Sequence, residues 1–158
     1  MKRGSTLFLK LALIIIAVPV LALAITGAIY LINHPADPDY DQLLYPIVIG
    51  LYVSTIPFYL AIYQAFKLLN YIDRNLAFSQ VSVAALTKIK YSSIMFSAIY
   101  VVILPFFFMV AELDDAPGLI IIGGIPVFAS LVIAVFAAVL QRLLQEAIHI
   151  KSENDLTV

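Results

Sequence analysis

His34 and the run Asp37-Pro38-Asp39-Tyr40-Asp41 form the densest group of metal-capable side chains in the sequence. Alternating aspartates open the calcium loop of an EF-hand, where carboxylates at positions one, three and five meet the ion. Counted from Asp37, position six is Gln42 where Gly is required, and position twelve is Val48 where a bidentate Glu is required. The EF-hand reading therefore fails. A looser cation site, joining His34 and these aspartates to Glu112, Asp114 and Asp115, stays open as an alternative. The preferred reading is that Asp41 caps a helix, where a carboxylate accepts from unpaired first-turn amides and favours the positive end of the dipole.

Other chemistries find no residues to carry them. The 158-residue chain has no cysteine, which excludes disulfides, thiolate metal sites and thiol redox chemistry. His34 and His149 are its two histidines, and the topology derived below puts them on opposite sides of a membrane. No nucleophile–base pair, paired carboxylates, phosphate loop, dinucleotide fingerprint or nucleic-acid motif appears. The expectation is a protein that is not an enzyme, with no catalytic, cofactor-binding or metal residues and no cofactor.

The elements that hold these side chains are read from hydropathy. Hydrophobic residues make up 63% of the chain and charged ones 12%, and the mean hydropathy is +1.05. A soluble domain of this length could not hide that much apolar surface. Four apolar segments stand out: 7–32, interrupted by Lys10, then 45–66, 91–111 and 119–140. Each matches the ~20 residues that cross a bilayer as a helix. Backbone groups in lipid must pair within the segment, so these are helices. The expected fold is an all-α membrane protein in a single domain, with four transmembrane helices as two hairpins. Met1-Lys2-Arg3 with Ala22-Leu23-Ala24 imitates a signal peptide, but the apolar run continues to Ile32 and reads as a start-transfer anchor.

Charge orients the spans. All nine Lys and Arg fall in the N-terminal stretch, in 67–90 and in 141–158. The two other joining segments contain no basic residue and carry Asp37, Asp39, Asp41, Glu112, Asp114 and Asp115. The net charge of −1 thus hides one basic and one acidic face. The positive-inside rule places the basic face, and both termini, in the cytoplasm of a multi-pass protein of the bacterial cell membrane. With no Trp in the chain, Tyr30, Tyr45, Tyr71 and Tyr91 take the interfacial role.

Within the spans, Tyr52, Thr55, Tyr59, Tyr63 and Phe66 share one helical face, which predicts packing against other helices or, alternatively, a wet crevice. Ser93 and Ser97 stand four apart, and Ser130, Ala134 and Ala138 form a small-residue stripe suited to close helix approach. Pro19, Pro57, Pro105 and Pro126 make each span a kink candidate. No ionisable residue lies mid-span, which argues against coupled ion transport.

On the basic side, segment 67–90 is expected to leave the membrane as a helix, turn at Asp73-Arg74-Asn75, and return as an amphipathic helix. Ser79 is its predicted N-cap, with Phe78 and Val83 as a hydrophobic staple. Asp115 is the predicted N-cap of the fourth span, with Pro117 in its first turn. Beyond Leu140, residues 141–158 alternate as an amphipathic helix, with Leu143, Leu144, Ala147, Ile148 and Ile150 against charged neighbours.

Four stretches then carry a family likeness: Met1-Lys2-Arg3-Gly4, Ala77-Phe78-Ser79, Asp114-Asp115-Ala116-Pro117-Gly118 and Glu153-Asn154-Asp155-Leu156-Thr157-Val158. In these the chain resembles, over essentially its whole length, the bacterial YoaS-like membrane proteins, domain of unknown function 2975. Relatives carry Gly and Pro shortly before the Phe-Ser pair, where this chain has Asn75, Leu76 and Ala77, which implies a less sharp turn here. The family has no established activity. Its members' association with small helix-turn-helix regulators implies a partner.

Two function classes survive. One is a non-enzymatic interaction or regulatory module that offers Phe78, Ser79, Lys88, Lys90, Asp155, Leu156, Thr157 and Val158 to a soluble partner; the extended Asp-Leu-Thr-Val end would suit carboxylate capture. The other is a small permeation or ligand-binding protein using the tyrosine face of the second span. Expected partners are membrane lipid, a soluble cytoplasmic regulator and a second copy of the chain, with no direct contact to nucleic acid.

Overall fold

The computed structural model describes residues 3–35 and 37–157. Within them it has four helices: α1 (Arg3–Asn33), α2 (Pro38–Asp73), α3 (Gln80–Leu113) and α4 (Gly118–Leu156). All four are long and apolar enough to cross a membrane. They also outrun their apolar stretches. The 39 residues of α4 extend about 58 Å at ~1.5 Å per residue, roughly twice a ~30 Å hydrocarbon core.

Each helix packs on the next in sequence: α1 on α2, α2 on α3, and α3 on α4. No close backbone approach joins α1 to α3 or α4 among the described residues. The array is therefore open rather than a closed bundle. Neighbours run antiparallel, as contacts at several levels show. Tyr59 meets Ala17 and Tyr52 meets Ala24 between α2 and α1. Gly50 lies against Ile103 between α2 and α3, and Gly123 against Leu104 and Phe107 between α3 and α4. The close approaches surround a core of Ile47, Ile103, Phe107 and Val110.

The small-residue stripe of α4 is buried at Ser130, Ala134 and Ala137. Its third member is thus Ala137 rather than the predicted Ala138, since 3.6 residues per turn favours a mixed three-and-four spacing. Ser93 and Ser97 are buried as well. Helix α1 differs from the rest: among its described residues Thr6 alone is buried. None of the prolines inside the helices, Pro19, Pro46, Pro57, Pro105 and Pro126, ends its helix.

The helix ends correct three expectations. Asp37, not Asp41, is the N-cap of α2, because Pro38 with its fixed φ opens the helix earlier. Asp41 falls inside the first turns, and its Oδ1 has no hydrogen-bonding partner. Pro117, not Asp115, is the N-cap of α4. Asp115 instead adopts φ 50°, and the Ala116 amide donates to the Ala111 carbonyl at 2.9 Å. That is the Schellman closure of a helix, here of α3. The end of α2 repeats it: Asn75 has φ 59°, Leu76 N–H donates to Tyr71 O at 2.7 Å, and Asn75 N–H donates to Ile72 O at 3.2 Å. Two non-glycine residues of the type that tolerates the left-handed region thus make both turns.

Ser79 is the N-cap of α3 as predicted, but its side chain does not cap. Its hydroxyl donates backwards to the Leu76 carbonyl, which also accepts from Ser82 Oγ at 2.8 Å. The Schellman turn aims that carbonyl at both serines, so they close the turn rather than the helix start.

Candidate functional site

The basic end gathers the termini of α2, α3 and α4 and the start of α1. Near this end Leu69, Val83, Ala85, Leu86 and the fully buried Ser82 are enclosed. Lys67 and Lys90 each hold an ammonium over a tyrosine ring, Tyr63 at 5.0 Å and Tyr91 at 4.8 Å from the centroid.

On this frame the predicted partner-binding residues divide. Phe78 is 61% exposed, beside exposed Leu76 and Val81. A staple onto buried Val83 therefore does not cover it. Ser79 is half-buried, Lys88 is exposed, and Lys90 is held against Tyr91. At the other chain end, Asp155 and Leu156 belong to α4, and Thr157 closes that helix, donating from its hydroxyl to Asn154 O at 3.0 Å. The tail is helical to Leu156, not extended, because its amphipathic pattern simply continues the span. Val158 lies outside the described residues. The register set by Gly123 brings Gln80 level with 147–150, so the last turns of α4 run past the start of α3. Both sets of residues therefore stand at one end of the molecule.

One constellation at this end was not foreseen. Lys10 Nζ lies 2.7 Å from Asp73 Oδ2, and Thr6 Oγ1 donates to Asp73 Oδ1. Asp73, expected only as part of a turn, thus links α2 to α1. The lone charge in the first apolar run was the available signal, since a charge leaving water needs a partner.

The tyrosine face of α2 is the second tie. Tyr52 OH donates to Ala24 O at 2.6 Å and Tyr59 OH to Ala17 O at 2.8 Å, so the face packs on α1 as predicted. Tyr63 is exposed. Between α1, α2 and the α3 side chains Phe96 and Tyr100 lies a cleft of about 470 Å³. At the acidic end, Tyr40 OH donates to Asp114 Oδ1 at 3.0 Å, joining α2 to the α3–α4 turn. His34 stacks on Tyr30, with centroids 4.6 Å apart. No group of three or more His, Asp or Glu placed to hold a metal exists among the described residues.

No solved structure matches the chain. The family described as "Protein of unknown function (DUF2975)" matches residues 30–158. The "Uncharacterized membrane protein YoaS" of Bacillus subtilis (strain 168) is 56% identical over 160 residues, covering 100% of both chains. By both matches this chain belongs to the DUF2975 family of uncharacterised membrane proteins.

Proposed function

We propose that the protein is a non-enzymatic interaction module of the bacterial cell membrane, presenting its basic end to a soluble cytoplasmic partner. In this reading two hairpins, α1–α2 and α3–α4, are joined by the turn 74–79, and both termini lie in the cytoplasm. The partition of Lys and Arg supports the orientation. The observation that carries the proposal is the exposed apolar group Leu76, Phe78 and Val81 at the basic tip. Eleven residues separate Gln80 from the Tyr91 boundary, about 16 Å of helix, so lipid does not cover this group. Exposed apolar clusters on the water side favour a protein partner. The last turns of α4, with Leu156 at 83% exposure, belong to the same end.

The test compares soluble proteins co-purified from native membranes by the intact chain, by Phe78→Ala with Lys88→Glu, and by a chain lacking Glu153–Val158. Loss of the same protein from both altered chains, at unchanged membrane level, supports docking here. An identical set of proteins from all three chains refutes it.

A further inference from the structure

The cleft beside α1 has the dimensions and chemistry of a lipid seat. Its α1 wall runs from Val20 to Leu31, about 16 Å of helix, which is close to half of a ~30 Å hydrocarbon core. It starts near Pro19, midway along α1, and ends at Tyr30 and Leu31, close to the acidic end. The far walls are Leu51, Tyr52 and Phe58 of α2 with Phe96 and Tyr100 of α3. No charged side chain lines it. Three of its five hydroxyls are engaged by backbone carbonyls: Tyr52 OH donates to Ala24 O, Ser54 Oγ to Leu51 O and Thr55 Oγ1 to Tyr52 O. With these donors turned to backbone carbonyls, the cleft suits a hydrocarbon chain and disfavours a buried carboxylate or phosphate.

A headgroup would then lie beyond the Tyr30 end of the cleft, where His34 stacks on Tyr30. The segment that follows carries Asp37, Asp39 and Asp41, and no Lys or Arg lies at this end of the molecule. Acidic surroundings repel an anionic headgroup and attract an ammonium. We infer that the cleft between α1 and the α2–α3 pair seats one acyl chain of a phospholipid whose headgroup is zwitterionic and amine-bearing, from the leaflet at the acidic end. The inference is independent of partner docking at the basic end, and the residues used below lie outside that site.

Because the chain has no Trp, a single introduced Trp reports locally. Phe96→Trp places it in the cleft, and Phe128→Trp places it on the exposed outer face of α4. The full-length variants are reconstituted in phosphatidylcholine vesicles containing phosphatidylethanolamine or phosphatidylglycerol, either one brominated toward the acyl methyl end. Quenching of Phe96→Trp is expected to need about fivefold less brominated phosphatidylethanolamine than phosphatidylglycerol, the scale of one charge interaction at a membrane surface. Phe128→Trp should respond equally to both. Gly27→Leu, whose side chain fills the cleft beside Tyr52, should reduce Phe96→Trp to the Phe128→Trp response. Leu51→Phe serves the same purpose if Gly27→Leu does not insert. Equal quenching of Phe96→Trp by both headgroups, or a preference that survives both filling variants, overturns the inference.

Discussion

Lys10 and Asp73 stand 63 residues apart in sequence and 2.7 Å apart between Nζ and Oδ2. The pair joins the first turns of α1 to the last turn of α2, with each side chain 22% exposed. Thr6 adds its hydroxyl to the same carboxylate. Helix α1 has little buried packing of its own, so this polar tie matters more than it would on a well-covered helix.

The charges themselves should be exchangeable. Lys10→Asp or Asp73→Lys alone is expected to lower the thermal midpoint in detergent, since each places like charges together. The double reversal should recover most of the loss, because it rebuilds an opposite-charge pair. Additive losses in the double variant would show that the two residues act separately.

Tyr52 and Tyr59 continue the tie up α1 through its backbone carbonyls. Tyr59→Phe keeps the ring and removes one hydrogen bond, an interaction averaging roughly 0.6 kcal/mol between membrane helices. A destabilisation near that size, and about twice it for Tyr52→Phe with Tyr59→Phe, is expected in reversible unfolding from mixed micelles. No change in either would mean that the hydroxyls find equal partners without α1.

The spans were legible because the lipid-facing demand is written in composition, and all four apolar segments lie inside the four helices. Where helices begin and end was legible only in part. Ser79 marked the start of α3 at Gln80, as its residue type predicts. Asp41 and Asp115 looked like caps by residue type alone, yet Pro38 moved one boundary and the left-handed Asp115 marked the end of the preceding helix. Phe78 and Leu156, singled out in the sequence, are both exposed. The Lys10–Asp73 pair was not legible there, since pairing across two helices depends on a register that spacing alone does not define.

Asn75 at φ 59° offers a direct test of the α2 turn. Gly enters this region freely, whereas a β-branched residue meets the steric cost of roughly 1–2 kcal/mol per residue. Asn75→Gly should hold or raise stability, and Asn75→Val should lower it by about that cost. Equal stability of the two would contradict the Schellman geometry.

Orientation can be read with the cysteine-free background the chain already provides. Asp39, Glu112, Gln80 and Asn154 are all exposed, so a single cysteine at each can be labelled without opening the fold. An impermeant maleimide on intact cells should reach the cysteines at Asp39 and Glu112 only, with those at Gln80 and Asn154 reacting after lysis. Labelling at Gln80 in intact cells would invert the proposed topology and remove the cytoplasmic partner with it.

The last expectation concerns the seam that holds α2 to α3. At Gly50 the two backbones approach so closely that an added Cβ would collide with Ile103 Cγ2. Ile103 is β-branched and buried, hence slow to yield by rotation. Gly50→Ala should therefore destabilise by the roughly 1–3 kcal/mol typical of overpacking, despite Ala's better helix propensity. Gly124, four residues from Phe128 on α4, has open space around it, and Gly124→Ala should be neutral or stabilising. Gly50→Ala should cost less in an Ile103→Ala background than in the native chain, because the shortened side chain makes room for the new methyl. If Gly50→Ala instead matches Gly124→Ala in stability, α2 and α3 are not in contact at this level, and the register between them is wrong.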